Sequence, residues 1–122
     1  MKKQILVWGL LMGSGCIMAQ GDIKNNGNLQ VHSGGSFSGF GNFTNAVSGV
    51  LTNNGSLYLK QNITNDQSAM TVGTGTLYLN GSAAQSVNGS QPFKTYHLNS
   101  DNNSGIAINN NLSVSGIHTF TG

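Results

Sequence analysis

Four times the chain passes from an Asn- or Gly-rich corner into an aliphatic residue, a polar or tyrosine residue, and a second aliphatic. The segments are Asn25-Asn26-Gly27-Asn28-Leu29-Gln30-Val31, Asn53-Asn54-Gly55-Ser56-Leu57-Tyr58-Leu59, Gly73-Thr74-Gly75-Thr76-Leu77-Tyr78-Leu79 and, more loosely, Asn109-Asn110-Asn111-Leu112-Ser113-Val114. The first two lie 28 positions apart and the second and third 20. Alternation with period two is the signature of a strand with one face inward. Recurrence every 20 to 30 residues is the length of one coil of a β-solenoid. The paired aliphatics would then point inward and pile coil upon coil, with the residue between them outward. About 100 residues at this period give four or five coils spaced about 4.8 Å apart.

Other alternating segments, such as Ile106-Ala107-Ile108, fit the same scheme. Asn26-Gly27, Asn54-Gly55, Asn80-Gly81 and Asn88-Gly89 supply corners, since both residue types tolerate tight turns. Such pairs serve hairpins and solenoid corners equally, so the repeat decides the expectation: an all-β, parallel β-helix. Ser36-Phe37-Ser38-Gly39-Phe40-Gly41-Asn42-Phe43, with three aromatics, falls inside the 28-residue interval. It reads as a bulkier first coil or an edge-covering cap rather than a ligand platform.

Composition supports order without charge. From Gly21 to Gly122, Asn, Gly, Ser and Thr make up 54 of 102 residues, and the whole chain lacks Glu and Arg. Disordered chains are typically rich in charge and proline, whereas Pro92 is the single proline here. Asp22, Asp66 and Asp101 balance Lys24, Lys60 and Lys94. Like charges in register would repel at every coil, while outward Asn or Thr rows can share hydrogen bonds. No basic patch exists for nucleic acid, and no cationic face for an anionic membrane.

The first twenty residues differ. Lys2 and Lys3 precede the apolar run Ile5–Met12, and small residues lead to Met18-Ala19-Gln20. This order is a secretory signal, with a signal helix too short to span a bilayer. Cleavage is expected after Ala19 or one residue later. Cys16, the only cysteine, follows Gly13-Ser14-Gly15. This loosely fits a lipoprotein box, so lipidation at Cys16 is the alternative processing. Cleavage after Ala19 leaves no thiol. The domain reading is therefore residues 1–20 as signal peptide and 21–122 as solenoid repeats.

No residue is assigned as catalytic, cofactor-binding or metal-ligating. His32, His97 and His118 are mutually remote and lack a zinc-site pattern. The three aspartates are widely spaced, and clustered carboxylates are what glycoside cleavage requires. Calcium repeats need recurrent Asp, and no Gly-x-Ser-x-Gly elbow is present. Asn42, Asn54, Asn62, Asn80 and Asn88 begin glycosylation-like triplets that read as turns. Tyr58 and Tyr78, one coil apart and mid-unit, are expected to form an outward aromatic stack. That stack can stabilise neighbouring strands or receive sugar rings.

The run Gly75-Thr76-Leu77-Tyr78-Leu79-Asn80-Gly81-Ser82-Ala83-Ala84-Gln85-Ser86-Val87-Asn88-Gly89, followed by Phe93–Asn99 and Gly105–Gly116, resembles repeats of secreted, adhesin-like surface proteins of the Bacteroidota. The resemblance covers residues 50–122 and rests on composition and spacing. It implies a right-handed parallel β-helix exported to the bacterial cell surface, and a chain that is the N-terminal part of a longer protein. The functional expectation is a structural or adhesive surface module without catalysis or cofactor. Its expected partners are surface glycans or other surface proteins, with neither nucleic acid nor membrane insertion after cleavage. The alternatives are a carbohydrate-binding or carbohydrate-processing β-helix, or a fibre subunit that self-associates at the open solenoid end.

Overall fold

A computed structural model describes residues 21–122, so the signal helix, its cleavage point and Cys16 lie outside the described residues. The described chain is all strand, turn and bend, with no helix. Fourteen short strands form about five turns of a parallel β-solenoid. The first turn holds β1 (Ile23–Asn25), β2 (Asn28–Val31) and β3 (Ser36–Gly39). The second holds β4 (Phe43–Asn45), β5 (Val50–Asn53) and β6 (Ser56–Leu59). The third holds β7 (Ile63–Asn65) and β8 (Thr76–Leu79), with no strand between them. The fourth holds β9 (Gln85–Asn88), β10 (Phe93–Thr95) and β11 (His97–Ser100), and the fifth β12 (Ile106–Ile108), β13 (Leu112–Val114) and β14 (His118–Phe120).

Every strand pair is parallel. Two five-stranded sheets, β1-β4-β7-β9-β12 and β3-β6-β8-β11-β14, form two sides. The third side is split into β2-β5 and β10-β13. The Asn-Gly pairs therefore sit at corners between strands of different sides and close no hairpin. At the third turn the split side is spanned by irregular chain in which Ala69 has φ 55°. Met70 is buried in the core there, and its sulfur accepts the Lys94 N–H at 3.4 Å. A flexible thioether suits a gap left by a missing strand.

The hydrophobic column follows the expected alternation. Leu57 pairs with Leu77 and Leu59 with Leu79, and all four are essentially inaccessible. Phe37 lies one turn before Leu57, and Leu98 one turn after Leu77. Ile23, Phe43, Ile63 and Val87 stack along the opposite sheet. The aromatic segment thus belongs to the first and second turns: Phe37 and Phe43 enter the core and Phe40 stays 40% exposed.

Two details of the repeat are corrected. The 28-residue match is not a structural equivalence, because Leu29 pairs with Leu51 on one side while Leu57 pairs with Phe37 on another. The fourth copy at Leu112 is likewise displaced. Leu112 pairs with Phe93, and the strand that continues Leu57 and Leu77 is His97–Ser100. The same corner-plus-aliphatic pattern serves all three sides, so similarity between segments does not reveal which side each occupies.

The amides also depart from a purely outward arrangement. Asn25, Asn45 and Asn65 point inward beside the apolar column, in register one turn apart. Asn25 Nδ2 donates to Asn45 Oδ1 at 2.9 Å, and Asn45 Nδ2 donates to Asn65 Oδ1 at 2.8 Å and to Gln67 Oε1 at 2.7 Å. Asn45 and Asn65 are 0% exposed. A carboxamide is donor and acceptor at once, so a row of them can satisfy itself inside the core. The row stops at Gly89, whose φ of 122° turns the chain and where a Cβ would collide with the Asn65 carbonyl oxygen. Asn65 Nδ2 donates instead to the Pro92 carbonyl at 2.8 Å. Gln85, also buried, plays a similar part: its Nε2 donates to the Leu59 and Gln61 carbonyls and its Oε1 accepts the Gly81 N–H.

Outside, side-chain oxygens of one turn accept backbone N–H groups of the next: Asp22 from Asn42, Asn42 from Asn62, and Asn62 from Ser86. These two amide classes should differ in weight. Leu77→Ala should cost about 3 kcal/mol through a cavity in the column. Asn45→Ala should cost about 2–4 kcal/mol by stranding its buried partners, and Asn42→Ala about 1 kcal/mol or less. Urea unfolding of the three variants, followed by circular dichroism, ranks them.

Candidate binding face

The outward positions of sheet β3-β6-β8-β11-β14 form two rows along the rod. One runs Ser38, Tyr58, Tyr78, Asn99, Thr119, and the other begins Ser36, Ser56, Thr76, His97. Tyr58 and Tyr78 stack with ring centroids 4.3 Å apart and planes 15° apart. Register causes this geometry. Parallel strands place identical positions about 4.8 Å apart, close to the contact distance of two aromatic rings. The outward stack expected from the sequence is therefore present, with both rings half-buried.

Beyond Tyr78 the row steps down to an amide. A depression of about 210 Å³ opens there, lined by Thr76, Tyr78, His97, Asn99, Ile117 and Thr119. None of these side chains is an acid, a lysine or an arginine. His97 forms one wall. Its Nδ1 accepts the Ile117 N–H at 3.0 Å, which places the proton of the neutral ring on Nε2. Tyr96 packs edge-on against this imidazole, centroids 4.6 Å apart at 70°. The sequence reading missed His97, Asn99 and Thr119 as neighbours of the tyrosines. The available signal was Leu98, 21 positions after Leu77, but His97-Leu98-Asn99-Ser100 lacks the second aliphatic that marked the other units.

The remaining polar candidates are dispersed. His32 is exposed at a corner, and His118 points toward the column position after Leu98, where Nε2 lies 2.8 Å from Ser100 Oγ. Among the described residues no three His, Cys, Asp or Glu side chains gather closely enough to hold a metal. Asn54 Oδ1 accepts the Thr74 N–H and Asn88 Oδ1 the Asn109 amide, so these triplet asparagines lie at turns or strand ends and bond to the next coil.

The fifth turn presents a second cavity, about 370 Å³, lined by apolar groups that include Leu98, Ile106, Ile108, Leu112, Val114 and Phe120. Ile108 is 51% and Phe120 72% exposed.

Asp66 accepts two hydrogen bonds from the next turn. The Ser90 N–H and hydroxyl, each 2.9 Å from Oδ1, hold its carboxyl below the usual carboxylate range, with Lys24 adding a smaller effect. The contact's stabilisation is complete above the ordinary Asp pKa of about 3.9 and is lost as pH falls through the lower folded value. Carboxyl-carbon NMR should show Asp66 titrating below that value. In Ser90→Ala its midpoint should move upward but stay depressed, because the backbone N–H remains.

No protein-family model, curated protein or solved structure matches the chain.

Proposed function

We propose that this protein is an exported, non-catalytic surface module: a stiff β-solenoid that presents a polar, uncharged face for adhesive contacts. The observation that carries this reading is the outward row Ser38-Tyr58-Tyr78-Asn99-Thr119, held in register by five stacked strands. A face of fixed spacing loses little conformational freedom when it meets a partner. Repetition along a rod suits weak contacts made many at a time. The basic, apolar and small-residue order of residues 1–20 supports export, and the likeness to Bacteroidota surface repeats supports the bacterial outer surface as its place.

A second reading, head-to-tail association of two copies of this chain, is favoured by the fifth turn. Ile108, Ile117 and Phe120 are exposed there, and among the described residues β12 and β14 are each paired on one side only. Exposed strand edges beside apolar side chains promote pairing. Phe120→Asp should abolish any concentration-dependent increase in sedimentation coefficient.

Export is tested by expressing the whole chain with a C-terminal tag in a Gram-negative bacterium. The expected product lies outside the cytoplasm and begins at Gln20 or Gly21. A lipidated product beginning at Cys16 would keep export and reassign the processing. Intact chain beginning at Met1 in the cytoplasm would overturn the proposal.

A further inference from the structure

We infer that the depression beside Tyr78 binds one pyranose ring of a neutral oligosaccharide. The inference deepens the surface-adhesion reading and rests on it for access to glycans. Tyr58 covers one face of the Tyr78 ring. The other face borders the depression, because the next residue in the row is Asn99 and not a third aromatic. A stabilising role explains the covered face but gives no use to the open one. Sugars present a C–H face that packs on an aromatic ring, and a rim of hydroxyls that need donors and acceptors. The depression supplies that combination. Its lining joins Tyr78 to Asn99, Thr76 and Thr119, an aromatic ring beside an amide and two hydroxyls.

His97 completes the set. Gly116 donates its N–H to the Tyr96 carbonyl at 2.6 Å, and a Cβ there would stand only 2.6 Å from His97 Nδ1. Glycine at this corner lets the fifth turn close onto the imidazole. The Ile117 N–H then occupies Nδ1, leaving Nε2–H as the neutral ring's remaining donor. The volume, about 210 Å³, is below the roughly 300 Å³ at which sites for drug-sized molecules begin. One ring fits, and the rest of the oligosaccharide extends over Ser38 or Thr119. The lack of charged side chains in the lining selects neutral sugars over uronates, sialylated chains and phosphates. A single shallow subsite should bind with a dissociation constant on the order of millimolar.

The test is an NMR titration of the purified full chain with cello-, chito-, malto- and mannotetraose, each to about 10 mM. At least one should shift the Tyr78, His97 and Asn99 resonances saturably. Tyr78→Ala and Asn99→Ala should weaken that binding by about tenfold or more, and Tyr78→Phe by less than about twofold. Tyr58→Ala should retain binding within a few-fold, because it uncovers the opposite ring face. Unchanged β-sheet circular dichroism in each variant separates lost binding from lost folding. No saturable shift with any of the four sugars, or shifts that survive Tyr78→Ala, would overturn the site. An exported chain that binds none of them removes the site and leaves the export reading. A cytoplasmic chain that still binds removes export and leaves the site.

Discussion

Parallel pairing in strict register is the constraint from which the rest of the molecule follows. Each position sits over a register partner about 4.8 Å away in the neighbouring turn, and along the central rows that partner is often of the same kind, as at Leu57 and Leu77 or Asn45 and Asn65. Leucine meets this condition by dispersion and burial, as at Leu57 and Leu77. Asparagine meets it because one carboxamide can donate to the next while accepting from the last, as along Asn25, Asn45 and Asn65. Tyrosine meets it by ring stacking. A carboxylate or ammonium does not, because its copies repel. The near absence of charge and the excess of Asn, Ser and Thr are thus consequences of stacking.

Internally, the core has two materials. An apolar column occupies most of the cross-section, and a line of buried amides runs beside it on the β1-β4-β7 side. The amides contribute directionality: a slip of one residue would place Asn45 outside and Thr44 inside, breaking the hydrogen bonds of Asn45 to three buried or half-buried partners, Asn25, Asn65 and Gln67. Specificity of register therefore resides in the amide line, and most of the stabilising burial in the aliphatic one. The missing strand of the third turn is tolerated because Met70 fills its place. The fifth turn is the least protected: its inward residues Leu112 and Val114 are only half-buried and Phe120 is exposed.

The outward tyrosine face inherits its geometry from the same register. Its tyrosines need no loop or lid to hold them, since strands on both sides fix their spacing. The depression arises where the repeat changes residue type, from Tyr78 to Asn99, while keeping its backbone. The solenoid supplies a constant frame, and a departure from the repeat supplies the concavity.

How much of this could be read in advance divides along local and non-local lines. The alternation at Leu57-Tyr58-Leu59 and Leu77-Tyr78-Leu79 is local, and the 20-residue interval between them equals one turn, so strand, facing direction and tyrosine stack were all legible. The apparent equivalence of Leu29 with Leu57 was misleading because strands on different sides of a coil bury the same kind of residue after the same kind of corner. Nothing in Asn45 distinguishes it from Asn42 as a sequence letter, yet one is fully buried and the other exposed. The amino-acid sequence thus determined the period, the strand content and the uncharged character of the chain, because these depend on residue type and spacing. Only the tertiary structure decided which side each strand joins, which amides turn inward, and that His97, Asn99 and Thr119 gather beside Tyr78. Those outcomes depend on register between segments twenty residues apart, and register is set by how the whole column packs.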